Sequence, residues 1–132
     1  MLARSITIHD ETALGKVLNT YNLPVSQDVL TVADLIRLRV EHEVADYNER
    51  LPDTFQALVQ PTDAERVLNG YQIRNKRLID SEKQVYVALD AFQKNGFFIL
   101  IDNHQAETLD ETIAIRPTTT ISFIKLTPLI GG

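Results

Sequence analysis

The chain has 132 residues, 44% of them hydrophobic and 23% charged, with a formal net charge of −5 at neutral pH. That length and apolar content support a single domain over residues 1–132 with one core, and the acidic balance argues against the basic face that nucleic acid or an anionic membrane surface requires. The lack of cysteine excludes disulfides, thiolate metal ligands and a cysteine nucleophile within the chain.

No run approaches the roughly eighteen apolar residues of a membrane helix. The opening Met1-Leu2-Ala3-Arg4-Ser5-Ile6-Thr7 also lacks the apolar centre of a signal peptide, so a cytoplasmic location is expected.

Arg4-Ser5-Ile6-Thr7-Ile8-His9 alternates polar and apolar residues, which predicts a half-buried strand ending in a turn at Asp10-Glu11-Thr12. Lys16 to Tyr21 predicts a second strand and, with the first, a hairpin. Thr31 followed three residues later by Asp34 is a variant capping box. The helix it opens carries Val32, Leu35, Ile36, Val40, Val44 and Tyr47 on one face. Arg37 with Glu41, and Arg39 with Glu43, are opposite charges four apart and predict a solvated, salt-bridged outer surface.

Residues 50–95 read as a helical insertion. Pro52 and Pro61 punctuate its start, and Thr62-Asp63-Ala64-Glu65 resembles another capping box, predicting a short helix that stops near Asn69-Gly70. Asp80 or Ser81 caps a further helix that buries Val85, Ala88, Leu89 and Phe92 and ends in left-handed backbone at Asn95-Gly96. Phe97-Phe98-Ile99-Leu100-Ile101 predicts a strand buried on both faces, with a turn at Asp102-Asn103-His104 and a returning strand over Gln105 to Leu109.

The last strand spans Thr119 to Leu126. Ile121 and Phe123 alternate on one face and Ile124 and Leu126 take the other, so either both faces are covered or a bulge shifts the register. The chain then runs through Thr127-Pro128-Leu129-Ile130-Gly131-Gly132. Pro128 stops sheet pairing because it lacks an N–H. The extended tail 128–132 reaches about 17 Å at most, and glycine admits close approach to a reactive centre.

Two early strands, a helix, further strands and a last strand running into Gly-Gly resemble the β-grasp order of the ubiquitin-like and sulfur-carrier superfamily. The likeness is to its prokaryotic branch, which includes the small subunit of molybdopterin synthase and the thiamine-pathway sulfur carrier. Thr31-Val32-Ala33-Asp34-Leu35-Ile36 resembles that family's helix start, Ile101-Asp102-Asn103 its apolar strand end, and Leu109-Asp110-Glu111-Thr112-Ile113 the loop after it. Thr120-Ile121-Ser122-Phe123 and the Pro-Leu-Ile-Gly-Gly tail resemble its final strand and terminus.

The likeness covers roughly residues 4–48 and 97–132. Two consecutive prolines are common in the family where this chain has Thr127-Pro128, and residues 50–95 have no counterpart in the small carriers.

The resemblance implies an α+β β-grasp fold, a mixed sheet packed on a main helix. It also implies a chain that is substrate and not enzyme, with no cofactor or metal of its own and no catalytic residue. Gly131 and Gly132 would be the activated terminus, and Pro128, Leu129 and Ile130 the contact for an adenylating activating enzyme that holds ATP and Mg²⁺ and supplies any nucleophilic cysteine.

The first expectation is a ubiquitin-like modifier transferred to target amines, with a conjugating enzyme and a deconjugating peptidase as further partners. The alternatives are a sulfur carrier ending in a thiocarboxylate and a noncovalent adaptor.

Other motifs carry less. His42-Glu43-Val44-Ala45-Asp46 imitates a metalloprotease helix, with Asp in place of the second His, and reads as part of the solvated face. His9 and His104 fall at expected turns, His9 beside Asp10 as a possible hydrogen-bonded pair. Arg74-Asn75-Lys76-Arg77, without aromatics, reads as a solvated loop. Lys16, Lys76, Lys83, Lys94 and Lys125 are candidate acceptors of another copy's tail. Gly15 and Gly70 lack the spacing of a phosphate-binding loop.

Overall fold

The computed structural model describes residues 4–67, 70–73 and 77–126. The described residues form an α+β arrangement of one mixed five-stranded sheet, two small two-stranded sheets and two helices. Among the described residues no helix is long and apolar enough to cross a membrane.

Strand β1 (Arg4–Thr12) pairs antiparallel with β2 (Val17–Val25). The strand therefore runs through Asp10-Glu11-Thr12, where a turn was expected, and the chain reverses only at residues 13–16. The reason is register. Ile6, Ile8 and Asp10 are successive inward positions, and all three are buried. Leu23 and Val25 extend the inner face of β2 beyond the expected Tyr21. Pro24 is tolerated there because β2 lies at the edge of the sheet.

Strand β3 (Val29–Thr31) leads into helix α1 (Val32–Arg50). The expected capping box is present: the Asp34 N–H donates to Thr31 Oγ1 at 3.0 Å, and the Thr31 N–H to Asp34 Oδ2 at 3.2 Å. Two more N-terminal donors, from Val32 and Ala33, reach the carbonyls of Glu111 and Leu109 at 2.9 Å, which satisfies amides that a helix start leaves unpaired. The apolar stripe from Val32 to Tyr47 is buried as expected.

The segment expected as a short helix after Thr62 is a β-hairpin, β4 (Ala64–Val67) against β5 (Gly70–Ile73). Its approach turns at Asp63, which has φ 60°, and left-handed backbone there does not continue into a helix. Phe55 and Tyr71 exchange backbone hydrogen bonds at 2.7 and 2.9 Å. This brings Gly70 so close that an added Cβ would sit 2.8 Å from the Phe55 carbonyl oxygen.

Helix α2 (Ser81–Gln93) is capped by Asp80 and followed by Asn95 at φ 60°, as expected. It docks on α1 through Asn48, whose amide bonds both the N–H and the carbonyl of Ile79, at 2.8 and 3.0 Å. Gln84 secures the same region by donating to the Val59 carbonyl at 2.8 Å.

Strand β6 (Phe97–Ile101) turns through Asp102 and Asn103, both with positive φ, into β7, which is only His104–Gln105 and not the longer return expected. Phe97 and Ile99 are fully buried, whereas Phe98, Leu100 and Ile101 are half-buried, so one face of β6 is sealed and the other partly open. Strand β8 (Thr112–Ala114) pairs with β3, and β9 (Thr120–Lys125) enters the large sheet parallel to β1 and antiparallel to β6, giving the order β2-β1-β9-β6-β7. Pairing along β9 is regular, so the bulge that the sequence left open is not formed.

Candidate functional site

The candidate site centres on the segment beyond β9. Residues Pro128, Leu129, Ile130, Gly131 and Gly132 lie outside the described residues, so the geometry concerns the platform ahead of them. Ile121 and Phe123 of β9 are wholly buried beneath α1. Hydrogen-bonded neighbours on both sides fix the strand, and Leu126, directly after it, is 42% exposed. The chain thus emerges from the middle of the sheet straight to the surface.

A buried ionic cluster lies under that exit. Arg39 of α1 is 1% exposed and Asp10 of β1 is 3% exposed. The guanidinium grips the carboxylate with two hydrogen bonds, one to Oδ1 and one to Oδ2, the latter at 2.8 Å. Arg39 Nε reaches Glu43 at 3.4 Å, and the other Glu43 oxygen accepts the Leu58 N–H at 3.1 Å. The guanidinium carbon also stands 4.6 Å from the centre of the Phe123 ring, a cation–π contact. One side chain therefore joins β1, α1 and β9, and Glu43 extends the link to the inserted segment.

Lys125, the last residue of β9, donates to the Ala57 carbonyl at 2.9 Å. Burial pulls its amine down from the ordinary lysine range, and nearby Arg39 pulls further in the same direction. Burial would also lower Arg39, but Glu43 and Asp10 outweigh it and hold the guanidinium above its usual value. Burial pushes the Glu43 carboxyl up, against the opposing pull of Arg39 and the Leu58 N–H.

Two surfaces flank the exit. On the outer face of the sheet, Phe98 and Ile124 are cross-strand partners and Leu100 lies two residues along β6. All three are half-buried, and none packs into the core. On the other side a groove of about 270 Å³ runs past Leu126, with Val59, Arg66, Tyr71 and Val87 among its walls. Most of that groove is built by the inserted region.

Several sequence candidates are reassigned. Arg39 and Glu43 do not belong to the solvated face expected of them, and Asp10 is in neither a turn nor a pair with His9. His9 lies within β1 and contacts Thr20 across the sheet at 3.1 Å. His104 is exposed and meets Glu111 at 2.9 Å. Glu43 is occupied by Arg39 and Leu58, while His42 stacks on Tyr21 and Asp46 pairs with Arg50 at 3.1 Å. Among the described residues no group of three or more His, Asp or Glu could hold a metal ion.

Residues 74–76 of the basic run, Lys76 included, lie outside the described residues, and Arg77 is exposed beside Asp63. Lys16, Lys83 and Lys94 are exposed. Lys125 is half-buried, with its amine engaged by the Ala57 carbonyl.

The chain was compared with models of protein families, with curated proteins and with solved structures, and it finds no match in any of the three.

Proposed function

We propose that the chain is a β-grasp, ubiquitin-like modifier whose Gly132 carboxylate is activated by an adenylating partner and transferred to an amine. The observation that carries this reading is the combination of a central last strand, parallel to the first and clamped on both sides, with an immediate emergence at Leu126 next to the Pro-Leu-Ile-Gly-Gly segment. The sheet order β2-β1-β9-β6-β7 with α1 across it supports the β-grasp assignment, because that fold's hairpin, helix and final central strand are connected in the same sequence.

In the proposed reaction a Gly132 carboxylate oxygen attacks the α-phosphorus of ATP and pyrophosphate leaves. An amine, or first a partner's thiol, then attacks the acyl carbon and AMP departs with the bonding electron pair; after a thiol step the amine releases the thiol in turn. The phosphate site, the Mg²⁺ and the thiol are supplied by the partner. This chain's task is to hold the acyl end in position, which the Asp10–Arg39–Glu43 cluster and the Lys125–Ala57 bond assist by fixing β9.

The apolar trio Phe98, Leu100 and Ile124 offers a docking surface next to the exit. The inserted hairpin and α2 add surface that a minimal carrier lacks, which favours a modifier. The tail sequence Pro128-Leu129-Ile130-Gly131-Gly132 favours the second reading, a sulfur carrier, in which sulfide displaces AMP to leave a thiocarboxylate.

The test is Gly132→Ala, and deletion of Gly132, in an ATP-dependent transfer assay with an adenylating activating enzyme that charges the unaltered chain. Transfer is expected to vanish in both while the melting temperature stays unchanged. Retained transfer overturns both readings that make the Gly132 carboxyl the working group, whereas no transfer by the unaltered chain leaves the noncovalent adaptor.

A further inference from the structure

The groove of about 270 Å³ beside the chain exit has Leu126 itself as a wall, together with Val59, Val87 and Phe97. Val59 and Phe97 are buried, but Val87 of α2 and Leu126 leave 44% and 42% of their surfaces open. Two aliphatic side chains thus stand open to water around one apolar hollow, which favours covering it.

Its charges are of one sign. Arg66 and Lys125 line the groove and no Asp or Glu does, although the chain as a whole carries −5. The Lys125 amine is taken by the Ala57 carbonyl, whereas Arg66 of β4 is exposed beside the Tyr71 hydroxyl. An apolar segment carrying a negative end suits these walls, and a basic one is repelled by them.

Such a segment begins at the groove. Thr127-Pro128-Leu129-Ile130-Gly131-Gly132 follows Leu126 directly, and six residues reach about 20 Å at most when extended. Because the segment is tethered to a wall of the groove, its effective concentration there is of millimolar order or more. At about 30 Å³ per water the hollow holds about nine waters, room for two branched aliphatic side chains. Leu129 and Ile130 are such a pair, and the Gly132 carboxylate is the negative end.

We propose that residues 127–132 dock into this groove of their own chain, with Leu129 and Ile130 against Val59, Val87 and Phe97 and the Gly132 carboxylate at Arg66. The apolar docking stands without the transfer reading, whereas the carboxylate contact and its consequence rest on that reading. A docked tail withholds the acyl end, so only the undocked fraction meets the activating enzyme.

The test is NMR of the full chain. Nuclear Overhauser contacts from the Leu129 and Ile130 methyls to the Phe97 ring and the Val87 methyls are expected, unchanged on tenfold dilution. Val87→Glu sets an anion at an exposed position of the groove. It is expected to abolish the contacts and to return the Gly131 and Gly132 amide signals to those of the free hexapeptide, without lowering the melting temperature. Arg66→Gln is expected to move the same two amide signals, and it keeps the test open should Val87→Glu fold poorly. Absence of the contacts in the unaltered chain, contacts that fade on dilution and so belong to another copy's tail, or tail signals unmoved in both variants overturn the docking. Charging by an activating enzyme is expected to run several-fold faster for Val87→Glu. Equal rates overturn the withholding, and a docked tail that no activating enzyme charges in either protein counts against the transfer reading alone.

Discussion

Replacing Arg39 by methionine tests the cluster that fixes β9. The substitution keeps most of the side chain's volume but removes, among the described residues, the only cation hydrogen-bonded to Asp10 and Glu43, whose side chains are 4% and 10% exposed. Two carboxylates are then left in low dielectric with a single backbone N–H, from Leu58, between them. Breaking a buried ion pair from one side costs about 3–5 kcal/mol, a large share of the roughly 5–15 kcal/mol that holds a domain of this size folded.

The loss also depends on pH. Burial already raises the Glu43 carboxyl, and losing Arg39 removes the largest opposing pull. A carboxyl raised in the folded state contributes stability below its unfolded value of about 4.3, and that contribution is lost as pH rises through the folded value. The Arg39→Met deficit is therefore expected to be full at neutral pH and to shrink toward pH 4. Urea unfolding at both pH values measures it. A deficit under about 1 kcal/mol at neutral pH, or one that grows on acidification, would refute the description of the cluster. Replacing Asp10, Arg39 and Glu43 together by apolar residues should recover much of the loss, since the penalty arises from orphaned charge.

Leu35→Ala removes a wholly buried side chain from the centre of α1 and is expected to cost about 2–5 kcal/mol in the same unfolding assay; a negligible change would mean that this face does not pack on the sheet. For Lys125 the sign is opposite to that of Glu43. Its folded value is depressed, so its contribution is fully present above the unfolded value of 10.5 and is lost as pH falls through the folded value. Wild type should accordingly gain stability over Lys125→Met as pH rises toward 10.5, and parallel curves for the two proteins would count against a buried amine.

Much of this fold is legible from periodicity. The Thr31–Asp34 capping box, the stripe from Val32 to Tyr47, the Asp80 cap, the left-handed Asn95 and the alternation of Ile121 and Phe123 are local signals, and each reports on backbone within a few residues of itself. What was not legible depends on distant partners. Arg39 and Glu43 satisfy a surface i,i+4 pairing rule, yet they also fall three or four residues from Leu35, Ile36, Val40 and Tyr47, on the apolar face. Asp10 likewise continues the inward series of Ile6 and Ile8.

Charges of opposite sign recurring in apolar register on two elements were the available signal for a buried pair, but only their packing decides it. The hairpin at Ala64–Ile73 was misread because the Thr-x-x-Glu of residues 62–65 suits a helix start as well as a turn. Contact with Phe55, which local sequence does not report, settles it as strand.

The intact mass of the chain after incubation with its adenylating enzyme, ATP and a candidate amine tests the proposed function most directly. The expected result is an ATP-dependent product equal in mass to chain plus acceptor less one water, with the new amide at the Gly132 carboxyl. Exchange of one oxygen for sulfur would select the carrier reading instead. An unchanged mass with a competent enzyme, or an adduct that forms equally well when Gly132 is deleted, would contradict the claim that this carboxyl is the working group.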